Sequence, residues 1–365
     1  MKKSLLALAV AAALPAVAQA QSSVTLYGIA DTGVEYLNKA ASGKANTAGI
    51  RLMDTSATWN GSRFGVRGVE PLGNSGLSAV FGIESRLGID TGITGGSTYV
   101  GAAADTAPTK SSGLNTQFWN GLAFVGLRGG FGELTMGRQY TPGFYAWIAS
   151  DFTANAGYQN WALVGTPGVG GHASYGAVRA DNSIMLTSTL GGLTVRAMAA
   201  PGEGSLASAG QASGDIYGLA GIWALTKAIT VTGFYHKSDS FTATTMDTSY
   251  GVSGKLDLGA MGLSLGYSNL EVHGGADFDS ILLSAYLKMG AGTVYLNGHQ
   301  IKQNGTKATG AASDVNNGSV MNLGLSYVHP LSNRTAIYLQ ASRADQKDYS
   351  AGTPTRFGIG LNHKF

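Results

Sequence analysis

The stretch that decides the fold closes the chain: residues 355–365 read T-R-F-G-I-G-L-N-H-K-F. Bulky, mostly apolar side chains alternate with smaller or polar ones. The odd positions are Phe357, Ile359, Leu361, His363 and Phe365, and the even positions are Arg356, Gly358, Gly360, Asn362 and Lys364. Successive side chains of a β-strand point to opposite faces, so this strand has one apolar and one polar face.

The same two-residue period recurs through the chain, for example in residues 193–198, 263–268, 281–288 and 321–327. Past residue 20, no apolar run reaches the length of a membrane-spanning helix. Charged residues make up only 12% of the chain, which also contains 55 glycines and no cysteine. In lipid every backbone polar group must be paired internally, and a closed sheet of alternating strands achieves this. The pattern therefore predicts an all-β, transmembrane antiparallel β-barrel.

The N-terminus has the features of a secretory signal peptide. Lys2 and Lys3 are followed by an apolar segment at residues 4–17, and Ala-Gln-Ala at 18–20 fits a cleavage site before Gln21. The alternative is an uncleaved N-terminus that anchors the chain to a membrane.

Cleavage would leave residues 21–365 as a single barrel domain that is nearly neutral. Of the 24 Lys and Arg residues, the loss of two lysines leaves 22 against 21 acidic residues. This balance argues against a nucleic-acid-binding protein, which would need a strongly basic surface. The lack of cysteine excludes disulfides and thiolate metal sites.

Short turns rich in glycine alternate with long connections, as in barrels with periplasmic turns and extracellular loops. About sixteen strands are predicted, an even number that brings both termini to the same side. They lie near residues 24–37, 59–69, 77–87, 117–128, 133–138, 182–190, 193–200, 215–225, 228–238, 248–258, 261–272, 278–289, 293–303, 318–329, 335–345 and 355–365. The alternative is a secreted β-solenoid or adhesin, which usually shows a short repeat; the chain has none.

Several segments, in this order, resemble the general porins of Gram-negative outer membranes, and the betaproteobacterial branch most of all. They are residues 23–28 (SVTLYG), 62–74 (SRFGVRGVEPLGN), 124–127 (FVGL), 130–132 (GFG), 137–139 (GRQ), 179–184 (RADNSI) and 362–365 (NHKF).

The resemblance implies a homotrimer of pore-forming barrels that conducts ions and small hydrophilic solutes by passive diffusion. The third long loop, about Tyr140 to Ala180, would fold inward and constrict the pore, and residues 88–116 would latch onto a neighbouring subunit. Phe365 would be the aromatic signal that the outer-membrane assembly machinery reads. The expected surroundings are outer-membrane lipid and lipopolysaccharide, without a cofactor, a metal site or enzymatic activity.

Strand alternation places a set of charged residues toward the lumen, because each would cost a few kcal/mol in lipid near the midplane. They are Arg63, Arg67, Arg86, Asp31, Glu35, Glu84, Arg196, Lys255, Asp257, Lys288 and Arg356.

By the resemblance, Arg63 and Arg179 align with arginines of the pore wall, and Arg67, Arg86 and Arg138 are their expected neighbours at the constriction. Asp151 is the only carboxylate between positions 140 and 180, so the opposing negative charge is weak. This arrangement favours anions. The alternative is that the arginines only balance the acids of the wall.

Apolar and aromatic residues dominate the third loop instead: Phe144, Tyr145, Trp147, Phe152, Tyr158 and Trp161. They would either fix the loop to the inner wall by burial or form a binding track for a particular solute. A substrate-specific channel, and an adhesin barrel with an occluded lumen, are therefore the alternatives to a general diffusion pore. The histidines show no metal-site or triad spacing.

Overall fold

The computed structural model describes residues 22–38, 49–53, 58–92, 94, 118–154, 156–159, 178–202, 215–239, 246–272, 276–305, 318–347, 353 and 355–365. The expected signal peptide and most of the expected latch loop lie outside these residues. Among the described residues, no helix combines the length and the apolar character needed to cross a membrane.

One antiparallel sheet contains all the strands of the described residues. The helix α1 spans Pro142–Ser150, and a 3-10 turn spans Gly157–Gln159. The strands are β1 Ser23–Leu37, β2 Gly49–Leu52, β3 Arg63–Pro71, β4 Ser78–Arg86, β5 Leu122–Gly129, β6 Gly132–Tyr140, β7 Arg179–Leu190, β8 Leu193–Ala200, β9 Ile216–Ala224, β10 Ile229–Asp239, β11 Met246–Asp257, β12 Met261–Val272, β13 Ala276–Met289, β14 Gly292–Gly305, β15 Ser319–Pro330, β16 Thr335–Lys347 and β17 Thr355–Lys364.

The first strand closes the sheet on itself. The first half of β1 pairs with β3, and its second half pairs with β17. Gly28 and Phe365 complete the seam, since the N–H of each donates to the carbonyl of the other at 3.1 Å. The predicted closed barrel of sixteen spanning strands is thus confirmed, with β2 as a short addition.

The boundaries differ from the prediction mainly beside the long loops. β2 lies within residues 38–58, predicted as a loop, because the chain returns antiparallel to β1 before it enters the lumen. Residues 59–62 were predicted as strand, but they turn inward, and the strand begins at Arg63. Similarly, β5 begins at Leu122 and not near 117.

The two faces of the wall differ as the alternation predicts. On β1, Val24 and Leu26 point outward and are 71% and 64% exposed, whereas the inward Asp31 and Glu35 are almost fully buried. Exposed aromatic side chains gather toward both edges of the outer belt, as at the two interfaces of a membrane. Tyr36, Tyr217, Tyr235, Tyr250 and Phe357 lie toward the long-loop side, and Phe131, Trp223 and Phe365 toward the turn side.

The seam between β1 and the C-terminus yields a prediction. A Cβ on Gly28 would lie 2.2 Å from the Phe365 ring and 2.8 Å from a backbone oxygen of Arg63. We expect Gly28→Val to destabilise the barrel by about 1–3 kcal/mol, the usual cost of overpacking. The measurement is the urea midpoint for loss of the heat-modifiable folded band on a gel.

Gly254→Val is the matched control. Gly254 lies opposite Val231 and Leu265 in the sheet, and a Cβ there meets nothing within 4 Å. Equal midpoints for the two variants would contradict the role assigned to the seam.

Candidate functional site

The third long connection begins with a helix that lies against the inner wall. Thr141 caps α1, because its hydroxyl accepts a hydrogen bond from the Phe144 N–H at 3.3 Å, and Pro142 follows in the first turn. Phe144 and Trp147 are buried, and α1 packs mainly against β9 and β10. The Thr-Pro pair is a helix-start signal that the strand-based prediction overlooked.

Asp151, at the end of α1, faces the wall and not the pore. Its carboxylate accepts hydrogen bonds from the Ser284 hydroxyl at 2.8 Å and the Asn297 amide at 3.0 Å. The Thr153 N–H and hydroxyl donate to it at 2.9 and 2.7 Å. We expected Asp151 as the acidic partner at the constriction; it is an anchor of the loop, because inward polar side chains of β13 and β14 satisfy and bury it.

The described part of the loop ends at β1. The Tyr158 hydroxyl donates to Glu35 at 2.6 Å, and its N–H donates to the Gln340 side chain at 3.0 Å. Burial, followed by the Glu35 carboxylate, raises the pKa of Tyr158, so that its hydroxyl remains a donor. Residues 141–154 and 156–159 thus follow the inside of the wall from β9 to β1, which confirms for this part that the loop folds inward.

A second inward segment, which the sequence did not predict, meets the loop there. Between β2 and β3 the chain enters the lumen, and Met53 is buried against Tyr158 and Tyr338. The Gly157 N–H donates to the Trp59 carbonyl at 2.8 Å. Gly157 has φ +66°, a conformation that other residues adopt at a cost. The end of the first loop therefore holds the third loop in place.

The two inward acids of β1, Asp31 and Glu35, are buried by hydrogen bonds and an ion pair to these segments. Asp31 accepts from the Asn60 N–H, the Tyr338 hydroxyl and the Asn362 amide, each at 2.7 Å. Glu35 accepts from Tyr158 and pairs with Arg51 at 2.7 Å. Both carboxylates are at most 2% exposed, so they are turned away from the pore water.

Three arginines lie together on the inward face where β3, β4 and β7 meet the loop side. We call Arg63, Arg86 and Arg179, with Tyr140, the arginine cluster. The Tyr140 hydroxyl accepts from Arg86 at 2.6 Å and from Arg179 at 3.1 Å, and the Arg179 guanidinium lies 4.6 Å from the Tyr140 ring centre. Arg63 sits directly opposite Arg86 in the sheet and donates to the carbonyls of Asn60 and Gly61.

The charge of this cluster is poorly balanced. Glu84 lies 3.5 Å from Arg86 and also accepts from the Tyr27 hydroxyl, and its side chain is only 5% exposed, against 28% for Arg86. Like charges directly opposite each other destabilise a sheet, so stability does not explain the pairing of Arg63 with Arg86. The cluster presents three positive charges and one covered negative charge.

Two other arginines expected at the constriction lie apart from the cluster. Arg67 is inward and exposed. It lies four residues beyond Arg63 along β3, toward the short turns, with its guanidinium 5.3 Å from the centre of the Tyr27 ring. Arg138 pairs with Asp181 at 2.5 Å and lies opposite Ala123, on the outward face. Regular alternation along β6 gives this orientation, because the exposed Leu134 and Met136 lie on the same face. The structure therefore corrects the placement of Arg138 among the lumen arginines.

Three other cations expected in the lumen lie over aromatic rings of the third loop. Arg196 lies 3.9 Å from the Tyr145 ring centre and Lys255 lies 4.3 Å from that of Phe152. Arg356 is 5.9 Å from the ring of Tyr158. Burial raises the pKa of Tyr145. The last two members of the set, Asp257 and Lys288, lie on the inward face near the short turns, both exposed.

The described aromatic side chains of the third loop pack against the inner wall of the barrel. Phe144, Trp147 and Tyr158 are at most 8% exposed, and Phe152 packs against Tyr286. These contacts support the anchoring interpretation over a solute track. Trp161 lies outside the described residues. Tyr140 and Arg51, which the sequence analysis did not single out, emerge only from their contacts across the barrel.

A closed barrel with an apolar outer belt, a polar interior and an inward loop beside clustered arginines defines an outer-membrane protein of the channel-forming class. The chain belongs to the Gram-negative porin family, whose model matches residues 7–349. It is 38% identical over 190 residues to outer membrane porin protein 32 of Delftia acidovorans, which covers 50% of this chain and 45% of that protein. The chain thus matches less than half the length of this curated relative.

Solved structures agree on the fold. The anion-selective porin from Comamonas acidovorans superposes with a TM-score of 0.71 at 26% identity, covering 94% of this chain and 100% of that one. The trimer form of OmpT of Vibrio cholerae covers 94% of this chain and 99% of that one, with a TM-score of 0.64 at 14% identity.

The contact between Tyr158 and Glu35 yields a prediction. Tyr158→Phe removes a buried donor to a carboxylate, a loss worth about 1–3 kcal/mol. We expect the third loop to detach more often, seen as more frequent brief closures and greater current noise in single-channel recordings.

Tyr267→Phe is the control, because Tyr267 also donates to a carboxylate, that of Asp279 at 2.6 Å, but on the outer face. Indistinguishable noise in the two variants would show that the contact does not restrain the loop.

Proposed function

We propose that the protein is a passive-diffusion channel for ions and small hydrophilic solutes, with a weak preference for anions. The observation that carries this proposal is the arginine cluster: two guanidinium groups meet at Tyr140, the third lies on the opposing residue of the next strand, and the neighbouring acid is covered. A channel selects by its width and by the charges at its narrowest point.

The covered acids strengthen the argument. Asp31, Glu35 and Asp151 are each bound to wall or loop donors and almost fully buried. Mobile ions therefore experience mainly the arginines of this region, and charges in a cleft with low-dielectric walls raise the local concentration of counter-ions. The anion-selective porin from Comamonas acidovorans, which shares the fold at 26% identity, is consistent with this preference.

The alternatives find less support. A solute track needs accessible aromatic rings, yet the described rings of the third loop mostly face the wall. An occluded adhesin barrel would conduct no current, which a bilayer recording would reveal. No group of three or more His, Asp or Glu residues within the described ranges could hold a metal ion. We infer a channel and not an enzyme, because the family whose model matches the chain consists of porins.

The assembly that we propose follows the family. It is a homotrimer surrounded by outer-membrane lipid and lipopolysaccharide, exported through a signal peptide cleaved before Gln21. Phe365 would be read by the assembly machinery before it closes the seam with Gly28. The trimer form of OmpT, which shares the fold at 14% identity, supports the trimeric part of this proposal.

The charge at the cluster yields a prediction. Arg179→Gln removes one charge from the pore, and a unit charge about 6 Å away in water changes ion free energy by about 0.7 kcal/mol. Anion permeability falls and cation permeability rises, each by up to about threefold, so we expect the anion-to-cation permeability ratio to fall by up to about tenfold. The measurement is the reversal potential of each variant in a planar bilayer across a tenfold KCl gradient.

Arg128→Gln is the control, because it removes one positive charge at a short turn, where Arg128 pairs with Glu133 at 2.6 Å. An equal fall in both variants would mean that overall charge, and not the cluster, sets selectivity.

A further inference from the structure

Four aromatic rings form a continuous row along the inner wall, apart from the arginine cluster. The ring centres of Phe152 and Tyr286 are 4.7 Å apart, and those of Tyr286 and Tyr295 are 6.4 Å apart. Trp59 follows, with its ring centre 5.4 Å from that of Tyr295. We call these four residues the aromatic row. Tilted and edge-to-face ring pairs at such separations attract each other, so each ring supports the position of the next.

The row faces the lumen. Tyr286 and Tyr295 lie directly opposite each other on β13 and β14. Strand alternation gives them the same inward face as Ser284 and Asn297, which bind the third loop. The Phe152 N–H donates to the Ser284 hydroxyl at 3.0 Å, which fixes the loop end of the row to β13. The other end belongs to the segment that enters the lumen between β2 and β3.

The four rings stay partly exposed. They differ in this respect from Phe144 and Trp147 of α1, which are at most 8% exposed against the wall. Three of the four belong to the wall strands and the first loop, so the row is distinct from a track on the third loop. A glycine makes room for it, because a Cβ on Gly262 would lie 2.4 Å from the Phe152 ring and 2.5 Å from the Tyr286 ring.

Positive charge lies beside the row. Lys288 follows Tyr286 by two residues on β13, so the two side chains share the inward face. Lys288 is exposed and forms no salt bridge within the part of the chain that the structure describes. On the neighbouring side, the Lys255 ammonium lies 4.3 Å from the centre of the Phe152 ring.

The acids near the row are engaged by donors. The carboxylate of Asp257 accepts hydrogen bonds from the Tyr286 hydroxyl and from the Gly259 N–H, the latter at 2.9 Å. Asp151 is buried by its bonds to β13 and β14. Two lysines therefore accompany one exposed, hydrogen-bonded acid, and Lys288 keeps donors available for a solute.

This surface suits a solute with a flat apolar ring and a negative group. The partly exposed rings offer a stacking surface, and an ammonium forms charge-assisted hydrogen bonds with a carboxylate. A neutral ring would leave Lys288 unused, and an acid without a ring would leave the row unused. The arginine cluster already favours the entry of anions.

We propose that the aromatic row binds aromatic carboxylates, which stack on its rings and pair with Lys288 during passage through the pore. The inference rests on the proposed channel function and names a class of solute that the channel retains. Other small solutes still pass, because the row lies along one side of the wall.

The first test needs only the unaltered protein. Conductance in a planar bilayer is measured in KCl at constant ionic strength, with benzoate, acetate or benzamide added. Acetate has the charge without the ring, and benzamide has the ring without the charge. We expect benzoate to block at the lowest concentration. Equal block by benzoate and acetate, or by benzoate and benzamide, would overturn the proposal. Absence of conductance before any solute is added would instead contradict the channel function.

Tyr295→Leu removes a ring from the middle of the row. We expect the half-blocking concentration of benzoate to rise about threefold to tenfold, the usual contribution of one aromatic contact. Tyr250→Leu is the matched control, because Tyr250 is 42% exposed on the outer face of β11. The heat-modifiable band on a gel verifies that both variants are folded. An equal rise in both would contradict a site at the row.

Lys288→Gln tests the charge. We expect the half-blocking concentration of benzoate to rise by up to about fivefold, and that of benzamide to stay the same. Lys227→Gln is the control, since it removes one positive charge at the short turn between β9 and β10. Unchanged block by benzoate in both Tyr295→Leu and Lys288→Gln would overturn the proposed site.

Discussion

The structure depends on one constraint: a sheet in lipid must leave no backbone N–H or C=O unpaired. β1 satisfies it by serving two partners, β3 along its first half and β17 along its second. Phe365 completes the seam at Gly28. Once the sheet is closed, the alternation of side chains assigns each residue to lipid or to lumen. This alternation explains why the chain has no long apolar run: only every second residue of a strand must be apolar to cover the face that meets lipid.

The polar inner face then determines how the loops fold. Inward Ser, Asn and Gln side chains of the far wall supply donors and acceptors that a loop can use, and Asp151, Phe152 and Tyr158 bind to them. A buried carboxylate without partners would be costly, so each acid is tied to several donors. Around Glu35 and Trp59, the first and third loops both supply hydrogen-bond donors: Arg51 and Tyr158 to the Glu35 carboxylate, and Gly157 to the Trp59 carbonyl. What is left for the pore water is the opposite wall, where the arginines lie.

The two-residue period of apolar and polar side chains was sufficient to predict the barrel, because side chains alternate between the two faces of every strand, whichever strands pair with it. Most of the lumen charges follow from the same parity, among them Asp31, Arg196 and Lys255. Arg138 follows the same parity, because it shares the outward face of β6 with Leu134 and Met136. Its expected place at the constriction came from the family resemblance and not from alternation. The break in register between Gly137 and Gln139 instead accompanies the inward turn of Tyr140, a change of face that no local pattern contains. The orientation of Asp151 and the meeting of Tyr140 with Arg86 are tertiary contacts over long sequence distances, which no local pattern contains.

The central claim is that Asp31, Glu35 and Asp151 are buried by their hydrogen bonds while the arginine cluster stays accessible to ions. The most direct test is the sign of the zero-current potential of the unaltered, purified protein in a planar bilayer with a tenfold KCl gradient. We predict stepwise conductance and a potential of the sign set by chloride, which diminishes as salt screens the arginines. A potential set by potassium would contradict the account of the pore charges, and correctly folded protein without conductance would contradict the open channel itself.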